Sequence, residues 1–433
     1  MYVLIALLIL IISMLIGIPV AFSFLASTVF MVFAKGYDPS FLLPYGFSQM
    51  SSMVLLAVPL FIATGNIMHS GNIGDKLVDF VDVFVGRIKG GIGIVTIVTC
   101  AIFGSITGSA FATSSCIGSI MLPKLKAGGY SKGYIGALLA NSSILGLLIP
   151  PSAIMILFAW IGRQSVLASF LAIVAPGIMM TVLLSIINVV MLRKNPNIRL
   201  AEKIPFKRIP ARACQKGFRA LPAFVLPFLI LGGIYCGAVT PTEAAAIGAL
   251  YAIPVGFFIY KGLTWNKFVK TLIDSAVTTG VIMVMLYSVM LLSRIYIMEN
   301  LPDLVMGFLT SVSSNRYVLM AMINLFMIIF GMLMDDVSAV LLCTPILLPV
   351  ATRLGISPTQ FAAIVAVNLG MGNVTPPTAP LLFVGGHLAG ARIDEMMPTA
   401  LIMIVFAWIP TLIVTTYIPG FATFLPKLVL GIN

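Results

Sequence analysis

The sequence predicts an all-α, polytopic integral membrane protein. Its plan is an inverted repeat with two re-entrant helical hairpins and two broken helices. Three observations predict it. The chain has 433 residues, 60% of them hydrophobic and only 9% charged, with a mean hydropathy of +1.13; a soluble domain carries about 25% charged residues. Its charge-free runs are long enough to cross a bilayer, which takes about 20 apolar residues. The two halves also echo each other at a nearly constant offset.

Composition excludes several chemistries. There are two histidines, His69 and His387, far apart, and no HExxH, CxxC or Cys/His metal spacing among five cysteines. No GxxxxGK[ST] loop is present, so ATP hydrolysis by that route is out. An intramembrane protease would need a Ser/His set or aspartates on separate helices, and the one Asp pair is adjacent. The net charge of +12 reads as basic cytoplasmic loops in a bilayer protein, with no nucleic-acid partner.

Taken in order, the elements are these. Residues 1–34 lack charge and lack the basic start of a cleaved signal, so 3–33 is expected to be one permanent crossing. A crossing at 48–68 follows. Ile73, Leu77, Phe80, Val81, Phe84 and Ile88 then share a helical face, as in a helix lying on the membrane surface. The run 90–123 is too long for one upright helix and too short for two. Arg87 and Lys89 precede it, and Lys124, Lys126 and Lys132 follow it. Basic flanks stay in the cytoplasm, so both ends lie on one side and the run is a re-entrant hairpin bent near 104–109.

Next comes 133–160, interrupted by Pro150-Pro151, and then crossings at 164–192, 220–239, 241–260 and 272–293. Thr240-Pro241-Thr242-Glu243 reads as a capping box opening one of them. Leu301, Leu304, Val305, Phe308 and Val312 form a second surface helix. The second hairpin, 317–350, has Asp335-Asp336 at its centre, where acids are costly and usually functional. The run 357–388 carries Pro376-Pro377, and 397–425 is the last crossing.

The repeat is specific. Phe103-Gly104 matches Phe330-Gly331 at an offset of 227. Pro123, Gly129, Ser131 and the set Gly146, Pro150, Pro151 match Pro349, Gly355, Ser357 and Gly372, Pro376, Pro377 at 226. With the N-terminus in the cytoplasm, only Lys35, Arg163, Arg294, Arg316, Arg353 and Lys427 of the 25 Lys/Arg lie outside. Nine lie between Arg193 and Arg219, a loop that reads as a topology signal more than as an anionic-lipid site. The hairpins then enter from opposite faces, the arrangement of many secondary transporters.

Proline lacks an N–H and clashes with the carbonyl four residues back. Pro150-Pro151 is therefore expected to free the carbonyls of Gly146 and Leu147, and Pro376-Pro377 those of Gly372 and Asn373. Unpaired carbonyls in a bilayer need a partner, and a sodium ion is one. Each new half-helix also points N–H groups at any anion. The expected sodium ligands are Ser105, Ser109, Asn141, Gly146 and Pro150 in the first half, and Gly331, Asp335, Gly372, Thr375 and Thr378 in the second. Asp335 is favoured over Asp336 as the acid that faces the ion. Thr107, Ser114, Ser152, Asn368 and Asn373 are expected to meet the substrate. No arginine falls in these regions.

The segments AVPLFIATGNIM at 57–68, LGLLIPPS at 145–152, GAVTPTEAAAIGALYA at 237–252, MLMDD at 332–336 and NVTPPT at 373–378, with the Gly-rich first hairpin, resemble the large membrane subunit of tripartite ATP-independent periplasmic (TRAP) transporters, of DctM/SiaM type. The resemblance covers nearly the whole chain. Its hairpin tip is richer in Ser and Thr (Ser109, Thr113, Ser114, Ser115) than the alanine-rich family pattern.

The resemblance implies a sodium-driven importer of organic acids, such as C4-dicarboxylates or sialic acid, with Na+ as coupling ion, no other cofactor and no enzymatic activity. It implies a small four-helix membrane subunit and a soluble periplasmic substrate-binding protein as partners, in the bacterial inner membrane. It also implies an elevator mechanism. Residues 90–160 and 317–388 would then form the moving block, with 1–89, 161–316 and 389–433 as arms and scaffold. A sodium-coupled carboxylate or ion transporter that needs no binding protein is the alternative. A channel would need a continuous polar pore.

Overall fold

A computed structural model of the chain describes residues 2–85, 88–193, 195–196, 198 and 209–431, without the side chains of 85 and 209–214. Every regular element among them is helical. Of the basic stretch 193–219, residues 194, 197 and 199–208 lie outside the described residues, and 209–219 are helical.

The N-terminal run corrects one expectation. Residues 3–33 do not form one crossing. Helix α1 (Tyr2–Leu15) and α2 (Val20–Lys35) fold back on each other at Gly17, whose φ is +93°. The Lys35 ammonium stands 5.5 Å from the Tyr2 ring centre, and Ser27 Oγ donates to the Ala6 carbonyl at 2.8 Å. Both ends of this hairpin therefore lie on one side. The physical reason is Gly17-Ile18-Pro19: Gly17 takes the left-handed turn, and proline starts the next helix rather than continuing the first.

A short α3 (Leu42–Met50) leads to α4 (Ala57–Ser70) and the first surface helix, α5 (Ile73–Val85). On α5, Ile73, Leu77 and Val81 of the expected apolar face are buried, while Phe84 of the same face is exposed. The first hairpin is α6 (Gly91–Thr107) and α7 (Ala110–Ala127). The first broken helix comprises α8 (Lys132–Ser143), α9 (Leu145–Leu148) and α10 (Ala153–Ile161), bent by 47° at the prolines.

Crossings α11 (Val166–Leu192), α12 (Ile209–Tyr235), α13 (Pro241–Pro254) and α14 (Trp265–Met298) follow. The capping box on α13 is present: Thr240 Oγ1 accepts from the Glu243 N–H, and the Thr240 N–H donates to Glu243 Oε2 at 2.7 Å. The second surface helix is α15 (Leu301–Val312). Hairpin two is α16 (Arg316–Leu333) and α17 (Asp336–Arg353), and its ends meet where Arg316 donates to the Gly355 carbonyl at 3.1 Å. Broken helix two is α18 (Pro358–Gly372) and α19 (Pro380–Ala389).

The C-terminus departs from the expected 397–425 crossing. The span is Ile393–Tyr417, made of α20 (Ile393–Met403), a π turn and α21 (Ile409–Tyr417), and a separate α22 (Pro419–Leu430) packs beside α11. Pro419 at the first position of α22 marks the boundary.

Two packed groups emerge. Helices α2, α3, α4, α12, α13 and α14 pack on one another. The hairpins and broken helices pack with α11, α18, α21 and α22. Helix α11 and the C-terminal helices also pack against the hairpins and broken helices.

Candidate functional site

The first hairpin tip is built at Thr107-Gly108-Ser109. Gly108 has φ +61°, which lets α6 end and the chain reverse within two residues. Ser109 then N-caps α7, accepting from the Ala112 N–H at 3.4 Å. Thr107 Oγ1 lies 3.1 Å from Thr113 Oγ1, which donates to the Ser109 carbonyl at 2.8 Å. The tip seats on the first break: the Ala153 N–H at the start of α10 donates to the Gly108 carbonyl at 3.4 Å. Behind the tip, Gly104 lies against Gly146, where an added Cβ would stand 2.4 Å from the Gly146 Cα. Ser105 Oγ is engaged locally, donating to the Ile102 carbonyl at 2.7 Å.

Around this contact are buried oxygens without donors. The hydroxyls of Ser114, Ser142 and Ser152 are buried and have no hydrogen-bond partner. Among the described residues no hydrogen bond reaches the carbonyl of Gly146 or Leu147, as the prolines dictate. A buried polar group left unmatched costs about 1–3 kcal/mol.

The second half is similar in plan and different in detail. Gly331 lies against Gly372, where a Cβ on Gly372 would stand 2.4 Å from the Gly331 carbonyl carbon. Thr378 Oγ1 donates to the Met332 carbonyl and so ties the break to the hairpin. Thr375 Oγ1 donates to the Met371 carbonyl at 2.6 Å. The Asn368 and Asn373 amides donate to the carbonyls of Ile364 at 2.8 Å and Leu369 at 3.1 Å, and both amide oxygens are buried without a donor.

One expectation is corrected here, and two of the expected ligands have protein partners. The carbonyls of Gly372 and Asn373 are not free. The Thr375 N–H donates to Gly372 at 3.1 Å and the Leu381 N–H to Asn373 at 3.2 Å. The chain turns before the prolines, and Ala379 at φ +37° brings α19 back over the break. Asp335 is not the free acid. It N-caps α17, accepting from the N–H groups of Val337 at 3.1 Å and Ser338 at 3.3 Å and from the Ser338 hydroxyl. Asp336 is instead the buried one. The Asn141 amide oxygen accepts the Trp408 indole N–H at 2.9 Å.

The two halves meet at their breaks. A Cβ on Gly370 would stand 2.8 Å from Ile144 Cγ2 and 2.8 Å from the Trp408 ring, so α18 crosses the first broken helix two residues from each break glycine. Helix α10 packs on α17, and α19 packs on α8 and α7. Among the described residues Asp336 is the one carboxylate that is fully buried, and no Lys, Arg or His is. No three His, Cys, Asp or Glu side chains converge among them either. The donor set is hydroxyl, amide and carbonyl oxygen.

A protein-family profile described as "Tripartite ATP-independent periplasmic transporter, DctM component" matches residues 7–421. The chain belongs to the DctM family of these transporters. It is 32% identical to the C4-dicarboxylate TRAP transporter large permease protein DctM of Pseudomonas aeruginosa, over 88% of each chain. It is 30% identical to the sialic acid TRAP transporter large permease protein SiaM of Vibrio cholerae, over 96% of each. The crystal structure of the Alcanivorax borkumensis YdaH transporter superposes with a TM-score of 0.61 at 14% identity, over 87% of this chain and 89% of that one; it shows the shared fold.

Within this DctM chain, the hairpin–break pairing foreseen from the prolines brings Thr107, Ser109, Gly146 and Ser152 together, and likewise Gly331, Gly372 and Thr378. Thr113 and Ser142 stood outside the set selected from sequence. Thr113 was legible: it lies four residues after Ser109, one helical turn along the same face. Asn324, which accepts from Asn368 at 3.0 Å, carried no signal, because it is a lone polar residue in an apolar helix.

Proposed function

We propose that this chain is the large permease of a sodium-coupled importer of organic acids. Its substrate is a carboxylate of the dicarboxylate or sialic acid type, handed over by a periplasmic binding protein. A small four-helix subunit completes the membrane part in the bacterial inner membrane. One observation carries the sodium reading: the buried oxygens without donors at Ser114, Ser142 and Ser152, beside the open Gly146 and Leu147 carbonyls. Unwound carbonyls and hydroxyls at a broken helix suit an alkali cation. Asp336 and the Asn373 oxygen offer the second half an equivalent role. Bound cations at the two breaks add the positive field that an anionic substrate needs where, among the described residues, no arginine is buried.

The moving unit in this reading is the hairpins and broken helices together with α11 and α20–α22. The scaffold is α2–α4 with α12–α14. The folded-back α1–α2 hairpin puts the N-terminus on the side of Lys35. With the charge distribution, that side is periplasmic, opposite to the cytoplasmic N-terminus that one crossing implied.

The test is uptake of labelled succinate and sialic acid into proteoliposomes holding this chain and its small subunit. The assays run with and without binding protein, under an inward sodium gradient. Uptake requiring both sodium and the binding protein supports the reading. Uptake indifferent to the binding protein moves the assignment to a stand-alone sodium-coupled transporter. Flux that ignores sodium and follows the substrate gradient rejects coupling.

A further inference from the structure

At the root of hairpin one, Asn188 on α11 makes two bonds at once. Its Nδ2 donates to the Gly90 carbonyl at 2.8 Å, and its Oδ1 accepts from the Tyr134 hydroxyl at 3.0 Å. Gly90 opens α6, Tyr134 lies in the first turn of α8, and Asn188 is fully buried. One amide therefore joins the hairpin root, the start of the broken helix and the crossing that follows. The fit is tight, since a Cβ on Gly93 would stand 2.1 Å from Asn188 Oδ1.

The second half carries the same junction in different chemistry. Gln360 Nε2 at the start of α18 donates to the carbonyls of Thr415 at 3.1 Å and Thr416 at 2.9 Å, at the end of α21. The Tyr417 hydroxyl donates to the Tyr317 carbonyl at the root of α16, at 3.1 Å. Tyr134 and Gln360 are 226 residues apart, Gly90 and Tyr317 227, and Asn188 and Thr416 228. These offsets are close to those of the repeat, yet at none of the matched positions is the residue the same.

We infer that Asn188 and Gln360 are positioning residues of two matched clamps, one at each hairpin root. Each clamp fixes a hairpin on its broken helix, so that the tip stays in register with the break it covers. This rests on the ion-coupled reading of the breaks. A loosened root lets the hairpin pivot and spreads the oxygens between tip and break. Sodium affinity then falls while the scaffold is untouched.

The experiment uses the chain with its small subunit in nanodiscs. Asn188→Leu removes the first clamp. Tyr134→Phe deletes one bond and keeps the ring, and Tyr417→Phe does the same in the second half. Backbone hydrogen exchange is read at both roots, and uptake gives the half-saturating sodium concentration and the maximal rate separately. The expected result is exchange about three- to tenfold faster at root one only for Tyr134→Phe, the change one buried hydrogen bond carries. Half-saturating sodium rises with it, and adding Tyr134→Phe to Asn188→Leu brings no further change. Tyr417→Phe acts at root two only. Exchange that rises equally at both roots, or sodium affinity that stays put while only the maximal rate drops, overturns the clamps. If wild-type uptake itself ignores sodium, the coupled reading has failed, and the clamps' link to ion binding fails with it. The exchange pattern still reports whether the roots are tied.

Discussion

Gly104 on the first hairpin and Gly146 on the first broken helix touch backbone to backbone, with no room for a methyl group between them. The second half repeats the contact unevenly. A Cβ on Gly372 would stand 2.4 Å from the Gly331 carbonyl carbon, whereas one on Gly331 would meet the Gly372 Cα at 3.3 Å. Three glycines of the four are thus closed to alanine and the fourth, Gly331, is tight, its backbone neighbours having to give by a few tenths of an ångström. Gly104→Ala, Gly146→Ala and Gly372→Ala should each cost about 1–3 kcal/mol by overpacking and lower the thermal midpoint in nanodiscs. Gly331→Ala should cost less than any of these three. Equal losses at Gly331 and Gly372 would count against the packing described.

The two aspartates at the second tip should separate cleanly. Asp335 is a helix cap, and asparagine caps as well as aspartate, so Asp335→Asn should retain both stability and sodium dependence, while Asp335→Ala should cost about 1 kcal/mol. Asp336→Asn removes the buried carboxylate and should abolish the sodium dependence of uptake with little change in melting. The opposite pattern, with Asp335→Asn inactive and Asp336→Asn normal, would return the ion to Asp335.

Much of this fold was legible because a bilayer enforces simple rules. Proline pairs, centred glycines and basic flanks located both hairpins and both broken helices. What escaped depended on contacts across the chain. The fold-back at Gly17 looks in sequence like one long apolar span, because lipid-facing and protein-facing leucines read alike. That Asp335 caps α17 while Asp336 is buried was not readable, since adjacent acids are equivalent in composition. The Asn373 carbonyl is matched by an N–H eight residues on, beyond any helical repeat that a sequence pattern reports.

Glu299, just past α14, should confer an acid-sensitive contribution. Lys35 pairs with it at 2.8 Å and the Tyr37 hydroxyl donates to it. These bonds, that of Lys35 first, hold its carboxyl below the ordinary value of 4.5. A depressed folded pKa means stabilisation that is complete above that value and lost as pH falls through the folded pKa. Wild-type thermal midpoints should therefore fall more steeply on acidification below about pH 4.3 than those of Glu299→Gln, which should already be lower at neutral pH. Parallel curves for the two proteins would show that the pair contributes nothing.

Ser152 and Ser142 give the most direct test of an ion site, because the two expected effects have opposite signs. Their hydroxyls are buried and unmatched, so removing either relieves a desolvation cost of about 1–3 kcal/mol in the sodium-free protein. Ser152→Ala and Ser142→Ala should therefore melt at or above the wild-type temperature without sodium. If the hydroxyls bind the ion, sodium should stabilise the variants less. A ligand adds RT ln(1 + [L]/Kd), so a tenfold weaker site loses about 1.4 kcal/mol of that gain at saturating concentrations. The measurement is a sodium titration of the thermal midpoint, with potassium as the ionic-strength control. Variants that melt lower without sodium and keep the full sodium response would show that these serines serve packing and leave the ion to other oxygens.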